Sequence, residues 1–180
     1  PHQSSAASDV YKRQTYDWTL YFCLFLALWS AVIGGVFSAF SEFIMAALMQ
    51  TKPSGAIEAM QRINVTVIKT QFVAGILSIA LFSVLFAAYS VMVFEGAARV
   101  TICLATLVYL PSVFFMTMFG NVPMNKKLEQ LDHTSAEAET YWAVYTRTWT
   151  RLNHARSIGS ILTAGLYIIA AITLITSGQV

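Results

Sequence analysis

The chain has 180 residues, 57% of them apolar and 11% charged, with a formal net charge of +2. Soluble domains carry charge on roughly a quarter of their residues, so this composition excludes an ordinary soluble globule and points to a membrane protein. The small net charge, and basic residues that gather at helix ends rather than in a patch with stacking aromatics, exclude nucleic acid as a partner.

Residues 1–14, "PHQSSAASDVYKRQ", are polar, Ser/Ala-rich and without period. They lack the basic-then-apolar order of a signal peptide and read as a non-native leader from adapter read-through, leaving residues 15–180 as a single membrane domain. Four apolar runs follow: Trp18 to Leu48, Phe72 to Phe94, Val100 to Phe119 and Ile158 to Ile175. Each is near or above the roughly 20 residues that a helix needs to cross about 30 Å of hydrocarbon. The expected fold is all-α, a four-helix transmembrane bundle in the lipid bilayer. Pro111 predicts a kink in the third span, because proline removes a backbone donor. Cys23 and Cys103 both lie in apolar runs and read as packing residues.

The second and third spans are joined only by "EGAAR", whereas Thr51 to Thr70 and Asn121 to Ser157 form long connections on one face. That face holds Lys52, Arg62, Lys69, Lys126, Lys127, Arg147, Arg151 and Arg156, against Arg99 on the other. The positive-inside rule makes the long connections cytoplasmic and puts both termini outside, in a bacterial inner membrane. Tyr16 and Trp18 suit the outer interface.

Both long connections read as extensions of helices one, two and four. Ser54 is the expected N-cap of the first, with Ile57, Met60, Gln61 and Asn64 on one helix face. Thr134 and Glu137 stand at capping-box spacing, so a helix is expected to begin near Thr134. Trp142, Tyr145, Trp149, Asn153 and Arg156 then follow at steps of three and four along one stripe, which by itself is the usual mark of core packing. Pro123 is expected to stop helix three, with Asn121 and Asn125 satisfying the freed carbonyls or facing inward.

Counting 1.5 Å per residue brings Glu42, Asn121 and Arg156 to one level, with Asn64 about two turns beyond. A carboxylate, amides and a guanidinium at one depth predict a polar cavity at the mouth of the bundle, roofed by Trp142, Tyr145 and Trp149. Glu42 and Arg156 are expected to pair there. The chain offers no metal-ligand spacing, phosphate loop or catalytic triad, and His154 is the one histidine near the site, so no metal or other cofactor is expected.

"FSAFSEFIMAAL", "GAIEAMQRINVTV", "GNVPMNKKL" and "YWAVYTRTWTRLNHAR", in that order, resemble the anthrone oxygenase-like family of integral membrane proteins. The resemblance runs from about Thr15 to the end. It matches Asn64 to a motif asparagine, Asn121, Pro123 and Asn125 to an Asn-Val-Pro-Leu-Asn signature, and Trp142, Trp149, Asn153, His154 and Arg156 to a Trp-to-Asn-His-Arg signature. Met124 replaces the signature leucine, Leu152 stands where relatives carry tryptophan, and Glu42 replaces a small polar residue. The resemblance implies a cofactor-independent oxygenase acting on a hydrophobic, anthrone-type aromatic. His154 or Glu42 would be the base, Arg156, Asn121 and Asn153 the oxyanion donors, and Trp142 and Trp149 the walls. A non-enzymatic membrane binding or assembly module, its polar level merely knitting the helices, stays open beside it.

Overall fold

The computed structural model describes the backbone of residues 3–178 and the side chains of residues 18–178. The side chains of the proposed leader, residues 1–14, and of Tyr16 lie outside the described ones. Among the described residues the chain is helical and has no strand: α1 (Gln3–Ala39), α2 (Met45–Met49), α3 (Pro53–Val67), α4 (Gln71–Val93), α5 (Gly96–Tyr109), α6 (Val122–Glu129) and α7 (Ala136–Thr176). A π-helical turn, Phe40–Ile44, joins α1 to α2, and two more, Leu110–Phe115 and Thr117–Asn121, join α5 to α6.

Four continuous helices, Trp18–Met49, Gln71–Val93, Gly96–Glu129 and Ala136–Thr176, are long and apolar enough to cross a membrane. The expected four-span fold is therefore present. At 1.5 Å per residue α7 is about 60 Å long, twice the hydrocarbon thickness, so much of it projects beyond the bundle. The seams of α7 with α1 and with the Leu110–Phe115 turn are lined by small residues. A Cβ on Gly34 would lie 3.1 Å from Ser160 Cβ, and one on Gly159 only 2.6 Å from Ser112 Cβ. Such close backbone approach is how membrane helices gain packing where lipid offers no hydrophobic drive.

Two buried clusters result. The larger fills the bundle with Leu26, Ile33, Phe86, Ile102, Tyr109 and Tyr167, and includes Cys23 as a packing residue. The smaller lies at the end that carries both long connections, where α2, α3, α6 and the start of α7 bury Met45, Ile57, Met60, Leu128, Trp142 and Tyr145. At the opposite end Trp18 packs against Tyr89 in a tilted pair, centroids 5.3 Å apart, half-exposed as an interfacial tryptophan should be.

Several local expectations are corrected. Lys52, not Ser54, is the N-cap of α3, because Pro53 takes the first helical position, where its missing N–H is no loss. The fourth helix is capped one residue later than expected, by Ser135, whose Oγ accepts from the Ala138 amide at 3.1 Å. Thr134 instead donates to Asp132 Oδ1. The extension before the second span is a separate helix, α3, divided from α4 at Ile68–Thr70.

Pro123 does not stop helix three. It sits in the first turn of α6, directly after the Thr117–Asn121 π turn, and Pro111 likewise sits at the start of the other. The wider π turn leaves room for a ring that would clash with the carbonyl four residues back in an α-helix. Helix three therefore continues to Glu129 and is extended like the others.

Candidate functional site

A cavity of about 370 Å³ lies where the bundle meets the α3/α6 layer. Its walls are mostly apolar: Val36, Phe37 and Phe40 from helix one, Phe72, Val73 and Ile76 from α4, Phe114 and Met118 from helix three. Leu77, Ile68 and Met118 are rim residues and are themselves exposed. The polar end is built by Asn64, Asn121, Asn125, Trp149, Asn153 and Arg156, while Lys126 and Glu129 stand exposed at the mouth.

Asn153 is the hub of the polar end and is fully buried. Its Nδ2 donates to the Phe37 carbonyl and to Ser41 Oγ, both at 2.6 Å, and its Oδ1 accepts from an Arg156 NH2 group at 2.5 Å. The Arg156 guanidinium is 4.2 Å from the Phe37 ring centroid and 5.3 Å from that of Trp149, with Thr117 Oγ1 at 3.4 Å. Cation–π faces and one amide oxygen thus hold it in place. Arg156 Nε and Asn121 Oδ1 have no hydrogen-bond partner, and the Asn64 amide lies beside the Tyr145 hydroxyl, whose own proton goes to Asn125.

The other amides lock helices together. Asn121 donates to the Trp149 carbonyl at 3.2 Å. Asn125 Oδ1 accepts from Tyr145 OH and from Trp149 Nε1, each at 2.8 Å. Trp142, Tyr145 and Trp149 stack in sequence with centroids 5.5 and 5.9 Å apart, so the stripe read from the sequence does face inward. Only Trp149 of the three lines the cavity; Trp142 and Tyr145 belong to the core above it. From α3, Gln61 Nε2 donates to the Leu128 and Leu131 carbonyls at 2.8 Å each, which clasps α3 to the end of α6 and seats Asn64, one turn on, over the cavity.

Two expected site residues are not brought there. Glu42 and His154 are exposed and line no part of the cavity. Among the described residues the ion pairs are Arg62–Glu58 and His133–Glu58, so the expected Glu42–Arg156 pair is absent. Each stands one residue, about 100° of helix rotation, from a neighbour that does face inward: Ser41 beside Glu42, Asn153 beside His154. The sequence reading missed Ser41, Thr117, Phe72 and Glu129. For Glu129 a signal existed, since it follows Asn121 and Asn125 at steps of four on one helix face.

Leu152, where relatives carry tryptophan, lies against Gly120, with its Cδ1 3.0 Å from where a Cβ there would stand. Among the described residues no group of histidine, cysteine and carboxylate side chains could hold a metal ion.

A family model described as anthrone oxygenase matches residues 65–175, more than half of the chain. The chain belongs to the anthrone oxygenase family. The matched region contains Asn121, Asn125, Trp149, Asn153 and Arg156, whereas helix one and Asn64 precede it. No curated protein and no solved structure matches the chain.

Proposed function

We propose that this family member is a membrane oxygenase that oxidises a lipophilic, anthrone-type aromatic within the cavity. The observation that carries the reading is a single cavity that joins apolar walls to a buried guanidinium with an open Nε and to the amides of Asn64 and Asn121. Exposed apolar rim residues favour entry of the substrate from the bilayer.

The chemistry balances without an external reductant. A base removes a proton from the methylene carbon flanked by two aryl rings, and the electron pair delocalises onto the carbonyl oxygen. Dioxygen then bonds to that carbon as a hydroperoxide, and loss of water leaves a second carbonyl. One oxygen atom stays in the quinone and the other departs as water with both methylene hydrogens. Asn64 Nδ2 and the Arg156 N–H groups are the donors suited to the developing oxyanion, and the apolar walls exclude water from the carbanion. With His154 and Glu42 outside, Glu129 is the carboxylate that lines the cavity and takes the role of base.

Purified protein incubated with anthrones, in air and without oxygen, tests the reading. Quinone should form faster than in buffer, and only with oxygen. Glu129→Gln should slow it by about a hundredfold, the usual order for a general base, while His154→Gln and Glu42→Gln should stay within about twofold of wild type. Oxidation no faster than buffer would sink the proposal.

The binding-module reading is favoured by one feature, that Asn121 and Asn153 spend donors on helix carbonyls. It wins if Asn121→Ala and Arg156→Ala abolish folding and no small molecule stabilises the wild type. For orientation, we place the long connections in the cytoplasm of a bacterial inner membrane on their basic residues. Cysteines at Ser54 and Ser177 should label from inside and outside respectively.

A further inference from the structure

We infer that the ligand of this cavity carries its own negative charge, as a carboxylate or an acidic phenol on a flat aromatic body, and delivers it to Arg156. The inference rests on the oxygenase reading for the aromatic class but not for the charge.

The charge follows from what surrounds Arg156. Its side chain is 5% exposed, and arginine stays protonated under any ordinary condition. A buried cation is costly unless an anion or a full set of acceptors compensates it. Here the compensation is neutral throughout: two aromatic faces, the Asn153 amide oxygen and the Thr117 hydroxyl. Among the described residues no carboxylate pairs with the guanidinium, and Nε has no partner. The Asn64 amide, which also lines the cavity beside the Tyr145 hydroxyl, adds a second N–H donor within it. Charged groups that face the space are Lys126 and Glu129 at the mouth, both exposed.

The rest of the cavity suits an apolar body. Phe37, Phe72, Ile76 and Phe114 line it, and its volume of about 370 Å³ lies within the range of sites for small organic ligands. A planar acid would place its oxygens between Arg156 and Asn64 and its rings along that slot. A neutral aromatic would fill the slot and leave the guanidinium uncompensated.

The test is binding, with no oxygen chemistry in the readout. Wild-type protein in nanodiscs of zwitterionic phospholipid is titrated with anthracene-9-carboxylate and with its neutral analogue anthracene-9-carboxamide. Energy transfer from tryptophan reports binding, and protein-free nanodiscs correct for partition. The carboxylate should bind tighter by on the order of tenfold or more, the usual worth of a hydrogen-bonded charge. Arg156→Gln should bring the two probes to parity through loss of carboxylate affinity alone, and Arg156→Lys should retain part of the preference. Equal or weaker binding of the carboxylate to wild type overturns the inference even if Arg156→Gln fails to fold, and so does a preference that survives in that variant. Anion preference without anthrone oxidation would leave this inference standing and remove the oxygenase reading. Oxidation without anion preference would do the reverse.

Discussion

Replacing Asn153 by alanine removes more from this fold than any other single amide. Its Nδ2 loses two acceptors at 2.6 Å on helix one, and its Oδ1 leaves Arg156 with only Thr117 at 3.4 Å. Hydrogen bonds between membrane helices average about 0.6 kcal/mol, but one to a charged group contributes about 1.5–3 kcal/mol. The expected loss is therefore about 3–4 kcal/mol, most of it from the guanidinium left with only the Thr117 hydroxyl as acceptor. Reversible unfolding in mixed micelles measures it. A loss below about 1 kcal/mol would refute the view that Asn153 couples helix one to Arg156. Asn153→Asp sharpens the test, since it keeps the acceptor for Arg156 and places an anion inside the protein. It should recover part of the stability and abolish the preference for the aromatic carboxylate.

Gly159→Ala would put a Cβ 1.9 Å from Ser112 Oγ and 2.6 Å from its Cβ, so it should destabilise by about 1–3 kcal/mol. Gly165→Ala meets nothing within 4 Å and should be neutral or stabilise by up to about 1 kcal/mol, which makes it the matched control in the same unfolding assay. Gln61→Leu breaks both clasp bonds from α3 to α6, and limited proteolysis should then cut faster near Thr51 or Lys69, at the ends of α3. Asp132 lies in the turn before α7, where the Thr134 amide and hydroxyl hold its carboxyl below the ordinary aspartate value. A lowered folded value means stabilisation present above the unfolded pKa and lost as pH falls through the folded one. The melting-temperature gap between wild type and Asp132→Asn should accordingly be present at neutral pH and vanish in acid.

The four spans were legible because hydropathy is summed over some twenty residues, which averages out local irregularity. The Trp142-to-Arg156 stripe was legible for a related reason, as it lies on an unbroken stretch of α7 where the 3.6-residue period holds throughout. Of the three residues expected at one level, Asn121 and Arg156 do line the same cavity. What failed was azimuth. Glu42 and His154 were placed at the right height, yet each points away while its chain neighbour faces the cavity. Rise accumulates slowly along a helix, but facing changes by about 100° with every residue, so a one-residue error reverses the chemistry assigned to a position. Asn64 reaches the cavity for a reason the sequence hid: α3 breaks from α4 at Ile68–Thr70 and folds across the opening.

A π turn explains why azimuth failed at Glu42, whereas His154, on the regular α7, simply lies one residue off the inward stripe. Each π turn adds one residue to the helical repeat and so shifts the facing of everything beyond it. The turn at Phe40–Ile44 contains Ser41, which accepts from Asn153. The turn at Thr117–Asn121 contains Thr117, which accepts from Arg156, and Asn121, which donates to the Trp149 carbonyl. Two irregular turns on different helices thus supply polar partners to one cluster on the regular helix α7. Wide turns are uncommon and gather at functional sites, because they weaken local hydrogen bonding and gain only what the redirected residues can do. In this chain those residues contact Asn153 and Arg156 while leaving Arg156 Nε without a partner. A guanidinium held between two aromatic faces and Asn153, with Nε left open, is the arrangement that the proposed anionic ligand would need.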